Sequence, residues 1–374
     1  MGYKHEAIPG FNAYKKLKKS NSIILAANTR INIGIIEGIL EAAKKVNTIV
    51  IFELAKSESD LEGGYTGLTP KTFSHNVKVA AEKVNWPWFI LHGDHLTIKN
   101  PEKDVPYIKN LLKQQIQSGY TSFAIDASFL FDTSGKTTIE ELKKNIEVTT
   151  EIAKYIKDNT DSSNPPGLEV EVGEIGKKDK NSGLVITTID EATTYIEQLN
   201  KNEIFPNLLA IANGSTHGNI YDESGKMIEQ VSIDIPRTIE IGKALQKYDV
   251  KIAQHGITGT PLELIASRFP KEVIQKGNVG TYWMNIAWDV LKVFQPELFK
   301  NITEWTLSEA KNRGETKPDA ILFGNNSKYA IKKFFSEIYA VDEETQEALK
   351  ANAYSEALKF FRAFSSTNLV KLLK

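Results

Sequence analysis

The residues best suited to chemistry in this sequence are histidines that follow short apolar runs. Six histidines occur, and four of them lie at or just after the ends of such runs: His92, His95, His217 and His255. The chain contains no cysteine, so any metal ion must be held through nitrogen and oxygen atoms. Three neutral imidazoles with one open position are typical of a catalytic zinc site, although cobalt, manganese and iron also accept such ligands. Any one of these histidines could instead be a hydrogen-bonded packing residue.

Carboxylates next to these histidines could transfer protons. Asp94 directly precedes His95, where it could act as a general acid or base on a substrate hydroxyl or orient an imidazole. Glu169 and Glu171 are two residues apart in a predicted strand, so both side chains point to the same face. Carboxylates buried there indicate a metal or proton-transfer site, and the alternative is an internal salt bridge with a lysine.

Two loops that combine glycines with hydroxyl groups suit a bound anion. Their candidate residues are Gly214, Ser215, Gly218, Gly256, Thr258 and Gly259. Backbone N–H groups in such loops, aided by the hydroxyls of Ser215 and Thr258, could hold a phosphate. Turns alone would also explain the glycines. Phosphate binding is the favoured interpretation, because the same loops carry His217 and His255.

These residues are expected to meet because the chain alternates between strand-length apolar runs and longer segments with helical spacing of apolar residues. There are eight such runs: 22–27, 48–54, 88–94, 122–128, 168–174, 208–214, 251–257 and 278–285. The alternation predicts an α/β fold with a closed (β/α)8 TIM barrel, and an open doubly wound sheet is the alternative. In such a barrel the functional groups lie at the C-terminal ends of the strands, where these histidines fall.

The barrel is predicted to cover residues 1–294 as the catalytic unit, and residues 295–374 are predicted to form a helical extension packed on it. The 374 residues include 46 basic and 47 acidic side chains, which give a formal net charge of −1. Neither nucleic acid nor an anionic membrane surface is therefore an expected partner. No apolar run approaches the roughly 20 residues that span a bilayer. The expected location is the cytoplasm.

Taken together, these residues resemble the class II, metal-dependent ketose-bisphosphate aldolases, which include fructose-1,6-bisphosphate and tagatose-1,6-bisphosphate aldolases. The similarity spans residues 23 to about 290, and its motifs occur in the order of the family. The matching segments are Asn28, His92-Gly93-Asp94-His95, Ile125-Asp126-Ala127-Ser128, Glu169 to Gly176, Gly214 to Gly218, His255 to Gly259 and Met284-Asn285-Ile286.

The resemblance implies that His95, His217 and His255 hold a catalytic zinc ion, with Glu171 able to serve an alternate metal position. Asp94 matches the catalytic acid or base. The implied reaction is reversible cleavage of a ketose bisphosphate into dihydroxyacetone phosphate and glyceraldehyde 3-phosphate. Cleavage between C3 and C4 leaves a carbanion that must be delocalised into the C2 carbonyl, and a divalent cation stabilises the resulting enediolate as a Lewis acid. Asp94 would accept the C4 hydroxyl proton during cleavage and return it during condensation.

The resemblance also implies substrate contacts in four loops. The residues expected to contact the phosphorylated sugar there are Asn28, Gly214, Ser215, Gly218, Gly256, Thr258, Gly259 and Asn285. In the family these loops bind the phosphate of dihydroxyacetone phosphate, often with the help of a monovalent cation. Dimers and tetramers are common among the members, so a homo-oligomer is expected.

Three departures from the family pattern mark the chain as a divergent member. The eighth-strand motif, read as Asn285-Ile286-Ala287-Trp288, lacks the usual phosphate-binding threonine. The seventh loop reads Gly256-Ile257-Thr258 in place of Gly-Gly-Ser. After the fifth strand the expected glutamate is replaced, and Glu174 or Asp179 could supply the second proton-transfer group.

Two other functions are compatible with the same residues. C4 epimerisation of a ketose or its phosphate, by retro-aldol cleavage and recondensation, uses every group named for the aldolase. A non-catalytic accessory subunit is the third reading, because residues 63–70 are similar to the accessory subunit of tagatose-bisphosphate aldolase. Retention of Asp94 and the three histidines argues against a loss of catalysis.

Overall fold

The computed structural model describes residues 3–173, 186–222 and 224–374, together with the backbone of 178–179 and 183–184. Eight parallel strands, numbered β1 to β8, close into a barrel in which each strand pairs with its sequence neighbours and β8 pairs with β1. The strands are Ile24–Asn28, Val50–Ala55, Phe89–Thr97, Ser122–Asp126, Gly167–Val172, Leu208–Ile211, Lys251–Gln254 and Ile274–Val279. The predicted (β/α)8 TIM barrel is confirmed.

Helices α2 to α9 follow the eight strands in turn, α1 precedes β1, and α10 to α15 form the C-terminal extension. From α1 to α15 the helices are Gly10–Leu17, Ile35–Lys45, Pro70–Val84, Pro101–Gln117, Thr138–Asp158, Ile189–Lys201, Ile235–Leu245, Leu262–Arg268, Thr281–Phe294, Pro296–Asn312, Asp319–Asn326, Ala330–Lys333, Phe335–Tyr339, Glu343–Ala363 and Val370–Leu373. Two short antiparallel hairpins lie in the loops after β5 and β6: Lys178–Asp179 with Gly183–Leu184, and Ile220–Tyr221 with Met227–Ile228. Among the described residues, every helix is too short or too polar to traverse a lipid bilayer.

Threonines fix where several of the crossover helices begin. Thr69, Thr137 and Thr188 each accept a hydrogen bond from the backbone N–H three residues further on, at the start of α3, α5 and α6. Each bond satisfies a donor that the first helical turn leaves free. At α6 the Glu191 side chain bonds in return to the Thr188 backbone, which completes a capping box. The loops that build the site therefore end at defined residues.

The eighth strand lies earlier than predicted, and the prediction of residues 278–285 is wrong. The strand is Ile274–Val279, and α9 begins at Thr281. Its inward positions include the polar residues Lys276 and Asn278, which are buried, so no apolar run marks it. The apolar run belongs to α9 instead, whose buried residues include Trp283, Met284, Ala287, Trp288 and Leu291.

The extension covers one side of the barrel. Helix α14 packs along α2, where Gly34 and Gly38 let the helices approach so closely that a Cβ on either glycine would overlap the α14 backbone. The chain after α14 returns to the start of β1, because the Ile23 N–H donates to the Phe364 carbonyl over 3.0 Å. The residues that the extension adds to the barrel core include Ile302, Ile331, Leu349 and Phe361.

Another part of the extension crosses the mouth of the barrel. We call residues 318–335, which contain α11 and α12, the roof segment. On one side Gly324 packs against the Tyr221 hydroxyl in the loop after β6, leaving no room for a Cβ. On the other side Lys332 Nζ donates to the Glu62 carbonyl in the loop after β2 over 3.1 Å. Because β2 and β6 lie on opposite sides of the closed ring, the roof segment spans the opening above the strand ends.

Candidate active site

Beneath the roof segment, a cavity of about 380 Å³ lies between the loops at the C-terminal ends of the strands. Its size falls within the range of small-molecule sites in proteins. The residues predicted from sequence that line it are Asn28, Asp94, His95, Glu171, His217, Gly218, Gly256 and Thr258. Its lining also includes residues that sequence reasoning missed: Arg30, Glu58, Tyr65, Asn278, Thr281 and Lys328.

Three imidazoles converge at this cavity: His95 and His217 line it, and the buried His255 lies against His95. Ring nitrogens of His95, His217 and His255 all lie within 4.8 Å of one another. His95 Nε2 and His255 Nδ1 are 2.8 Å apart, and the His217 ring centroid lies 5.3 Å from that of His95. Nitrogen ligands of a tetrahedral zinc ion are roughly 3.3 Å apart when each Zn–N bond is about 2.0 Å. The three side chains therefore fit one divalent ion after small adjustments.

A β-bulge in β3 lets two consecutive residues face the same cavity. In a regular strand neighbouring side chains point to opposite faces, yet Asp94 and His95 both line the cavity. The pairing of β3 with β4 shifts register between Gly93 and Leu96, and His95 has a positive φ of 40°. Bulges often occur beside active sites, where they redirect a side chain. This one brings a carboxylate next to a candidate metal ligand.

Carboxylates contact two of the imidazoles through the ring nitrogen that points away from the other histidines. His255 Nε2 donates to Glu169 Oε1 over 2.6 Å, which leaves His255 Nδ1 as the nitrogen available to a metal. His95 Nδ1 lies 3.1 Å from Glu171 Oε2 and 3.8 Å from Asp126 Oδ2, so His95 Nε2 is the nitrogen that faces the other histidines. Glu171 is thus beside His95 and away from the three converging nitrogens. With His95 and Asp126 it forms a second group of potential ligands within 4.8 Å, and its role at an alternate metal position stays a prediction.

Asp94 is held as an anion at the edge of the cavity. The residue is 2% exposed, and its two carboxylate oxygens accept from Asn28 Nδ2 over 3.1 Å and from Asn278 Nδ2 over 3.3 Å. Burial alone would raise its pKa, but the positive charges of His95 and Lys276 hold the pKa of Asp94 well below its usual range. An ionised carboxylate in this position can accept a proton from a bound hydroxyl group.

A buried ionic cluster lies beneath Asp94 in the barrel interior. Lys276 Nζ is 2.9 Å from Glu53 Oε2 and 2.8 Å from Glu169 Oε2, and none of these side chains is more than 1% exposed. Burial, together with the charge of Asp94, raises the pKa of Glu53 well above its usual value. Burial acts on Glu169 in the same direction but is outweighed by Lys276 and His255, which hold the pKa of Glu169 well below its usual value. Of the two carboxylates, Glu169 is therefore the one that more readily carries a negative charge.

The internal salt bridge that was the alternative interpretation for Glu169 is present, and it coexists with the bond to His255. Glu169 connects the Lys276 ammonium group to a candidate metal ligand. Sequence reasoning missed Lys276 because it lies in the strand without an apolar run, and its partners come from β2 and β5.

One wall of the cavity has the features of an anion site. Helix α9 begins there at Thr281, and the N-terminus of a helix carries a partial positive charge. Arg30 Nη1 donates to the Thr281 hydroxyl over 3.0 Å, while Arg30 Nε donates to Glu58 over 2.6 Å. Thr258 lines the same cavity and accepts from the Tyr282 backbone N–H over 3.3 Å. We call this surface, formed by Arg30, Thr258 and the start of α9, the α9 wall.

The shifted position of β8 changes how the eighth motif is read. With the strand ending at Val279, the family pattern of an asparagine followed three residues later by a threonine falls on Asn278 and Thr281, and both line the cavity. The expectation of a missing threonine rested on the displaced strand, and a phosphate-binding role for Thr281 stays a prediction. Asn285 lies one turn into α9, where its Nδ2 donates to Asn219 Oδ1 over 3.0 Å, so the prediction that it occupies the loop after the strand is wrong.

Other predicted residues lie away from the cavity or outside the described chain. Gly214 packs against the Ser232 carbonyl, Ser215 is buried, and the Gly259 carbonyl accepts from the Gln230 N–H. None of Gly214, Ser215 and Gly259 is among the described residues that line the cavity. Glu174 lies outside the described residues, as does the side chain of Asp179. The second proton-transfer group therefore stays a prediction.

Comparison with known proteins identifies the family. The chain matches the family model described as fructose-bisphosphate aldolase class-II over residues 12–346, so it belongs to the class II fructose-bisphosphate aldolase family. The fructose-bisphosphate aldolase of Campylobacter jejuni has a similar structure, with 18% identity, a TM-score of 0.61 and coverage of 98% of each chain. The YdjI aldolase of Escherichia coli K12 is 18% identical, with a TM-score of 0.59 and coverage of 96% of this chain and 98% of that one. These likenesses show a shared fold, and their low identity agrees with a divergent member.

Proposed function

We propose that this protein catalyses the metal-dependent, reversible aldol cleavage of a phosphorylated ketose. The substrates would be fructose 1,6-bisphosphate or tagatose 1,6-bisphosphate, and the products dihydroxyacetone phosphate and glyceraldehyde 3-phosphate. The observation that carries the proposal is the convergence of His95, His217 and His255 beside an ionised Asp94. Membership of the class II aldolase family supports it.

Each residue has a defined task in this proposal. The three histidines would hold zinc, or alternatively cobalt, manganese or iron, and the bound metal supplies Lewis acidity toward the negative charge that develops on the substrate. Asp94 takes the proton of the C4 hydroxyl as the C3–C4 bond breaks and returns it in condensation. Asn28 and Asn278 fix the Asp94 carboxylate through its two oxygens. Glu174 or Asp179 is the proposed second proton-transfer group.

The phosphate of dihydroxyacetone phosphate is proposed to bind at the α9 wall. Thr258 and Thr281 line the cavity at this wall and can offer their hydroxyls to the phosphate. The helix N-terminus favours a negative charge. Gly256 has a positive φ of 63°, which presents the backbone of the seventh loop in a conformation suited to glycine. Arg30, which is paired with Glu58, contacts Thr281 at this wall, and the monovalent cation that the family resemblance implied is proposed to assist phosphate binding.

The test is an assay of triose phosphate after incubating the zinc-loaded protein with each ketose bisphosphate. We expect triose phosphate from at least one of the two, loss of the activity on chelation, and recovery when zinc is restored. Asp94→Asn is the matched variant, because the amide keeps the shape of the side chain and cannot act as the base. It should retain zinc and release no triose phosphate. If zinc-loaded wild type released none from either ketose, the proposal would be refuted.

The same incubation separates the alternatives. A C4 epimerase would interconvert the fructose and tagatose configurations without net triose phosphate, which chromatography of the sugar phosphates detects. A non-catalytic accessory subunit would bind no divalent ion and change neither sugar. Tyr65, from the segment similar to the accessory subunit, lines the cavity and donates to Glu58 over 3.0 Å, so this segment would meet the substrate in either enzyme.

We also propose, from the family resemblance alone, that the protein is a cytoplasmic homo-dimer or tetramer. Light scattering coupled to size-exclusion chromatography would measure the assembly, and a monomer at micromolar concentration would contradict it.

A further inference from the structure

The loops after β6 and β7 each carry one of the converging histidines, and one buried side chain joins the two loops. This side chain belongs to Gln230, which is 1% exposed. Its carbonyl oxygen contacts Thr216, the residue before His217. Its amide nitrogen contacts Gly256, the residue after His255. Gln230 therefore touches the immediate neighbour of a candidate metal ligand in both loops.

The hydrogen bonds of this amide define its orientation. Gln230 Oε1 accepts from the Thr216 backbone N–H over 2.8 Å and from the Thr216 hydroxyl over 2.7 Å. Gln230 Nε2 donates to the Gly256 carbonyl, and to the Thr260 hydroxyl over 3.3 Å. A backbone N–H only donates and a carbonyl only accepts, so the amide oxygen must face the β6 loop and the amide nitrogen the β7 loop. An ionised glutamate lacks the donors and a lysine lacks the acceptor, so neither could make all four bonds.

The two loops are also packed directly against one another. A Cβ on Gly256 would lie only 2.6 Å from the Thr216 carbonyl oxygen, so the backbones touch beside the two histidines. The Gln230 backbone N–H adds a further bond, to the Gly259 carbonyl over 2.9 Å. The contact between the loops is therefore close and is fixed at several atoms.

His217 depends on this contact more than the other two histidines do. Carboxylates from β5 orient the rings of His255 and His95. The His217 residue is exposed, and among the described residues none forms a hydrogen bond to its ring. The ring packs edge-on against those of His95 and His255, at centroid distances of 5.3 Å and 6.3 Å. Its position is thus set chiefly by the backbone that Gln230 holds.

We propose that Gln230 is a positioning residue for the metal site, which sets the distance between His217 and His255 before an ion binds. The inference rests on the proposed function, in which these histidines hold zinc. Without the bonds from Gln230, the two loops would have to be ordered when the ion binds, and that ordering would reduce the affinity. Side chains that orient metal ligands typically contribute about 10- to 100-fold to metal affinity.

The test is a zinc titration of the full-length protein against a competing chelator, with urea unfolding of the metal-free protein alongside. Gln230→Met keeps the length of the side chain and removes all four bonds, whereas Gln230→Glu keeps the acceptor and removes the donors. Each variant should bind zinc roughly 10- to 100-fold more weakly than wild type.

The matched control is Gln275→Met. Gln275 is also 1% exposed, but it lies near the N-terminal end of β8, where its Nε2 donates to the Tyr14 carbonyl over 2.6 Å. Its replacement removes a buried glutamine hydrogen bond far from the ligand loops. Gln275→Met should therefore lower the resistance to urea and leave the zinc affinity unchanged, which separates positioning of the ligands from a general loss of stability.

Two results would overturn the proposal. One is a Gln230→Met variant that binds zinc as tightly as wild type, and the other is a Gln275→Met variant that loses as much zinc affinity as Gln230→Met. Should Gln230→Met fail to fold, the same comparison is made with Gln230→Glu. A wild type that binds zinc but cleaves no ketose bisphosphate refutes only the proposed function, because the affinities can still be compared. A wild type that binds no zinc refutes both.

Discussion

Two buried glutamates flank one ammonium group, and exchanging each for glutamine tests the charge assignment in the barrel interior. Glu53 and Glu169 lie 2.9 Å and 2.8 Å from Lys276 Nζ. Glutamine keeps the shape of either side chain and removes its ability to carry charge. Because the pKa of Glu53 is raised and that of Glu169 is lowered, the two substitutions should have very different effects.

Glu169→Gln should be costly in two ways. It leaves Lys276 without its ionised partner where neither side chain is more than 1% exposed, and breaking one side of a buried pair costs about 3–5 kcal/mol. It also weakens the acceptor of His255 Nε2, and loss of such an orienting carboxylate lowers metal affinity about 10- to 100-fold. Glu53→Gln removes the carboxylate whose pKa is raised and leaves Glu169 to pair with Lys276, so the free energy of unfolding should change by less than about 1 kcal/mol.

Urea unfolding of the metal-free variants, with zinc titration against a competing chelator, measures both effects. The pH dependence of the free energy of unfolding gives a second test, with a predicted direction. Since the pKa of Glu53 is raised in the folded state, its favourable contribution is lost as the pH rises above its usual value of 4.5. Glu53→Gln does not titrate and should therefore gain stability relative to wild type as the pH increases. Equal destabilisation by the two substitutions near pH 5 would refute the assignment of opposite pKa shifts to the two carboxylates.

Metal binding and turnover should separate by residue. His217→Ala or His255→Ala should abolish zinc binding and activity together, whereas Asp94→Ala should keep zinc and lose turnover, as metal analysis beside activity assays would show. Thr281→Val removes the hydroxyl that Arg30 contacts and should raise KM for a ketose 1-phosphate roughly 10-fold; an unchanged KM would count against the α9 wall. Gly38→Leu would force α14 away from α2 and lower the free energy of unfolding by about 1–3 kcal/mol, while Lys45→Leu on the exposed side of α2 should change it little in the same urea experiment.

The barrel could be predicted because most of its strands contain a short run of apolar residues. In β1 every residue is buried, so a short apolar run marks the strand in the sequence. In β8 the inward side chains of Lys276 and Asn278 are polar, and the Lys276 ammonium group and the Asn278 Nδ2 group contact carboxylates on other strands. No local pattern reveals partners that are distant in sequence, which is why this strand was displaced in the prediction.

The candidate ligands could be predicted from their positions at strand ends, but the geometry around them could not. Adjacent residues such as Asp94 and His95 are expected on opposite faces of a strand, and only the bulge turns both toward the cavity. Arg30 and Lys328 have no motif of their own. Arg30 was missed because its contact depends on where β8 ends. Lys328 was missed because its position depends on the path of the roof segment.

The close fit of Gly34 and Gly38 against α14 has a consequence for biosynthesis. Helix α2 leaves the ribosome long before its partner α14 is synthesised. At about 5–20 residues per second, the intervening segment takes of order 15–60 s to synthesise. Throughout that interval the nascent polypeptide exposes the glycine-lined surface of α2 that α14 later covers, so shielding by chaperones matters most before α14 has been made.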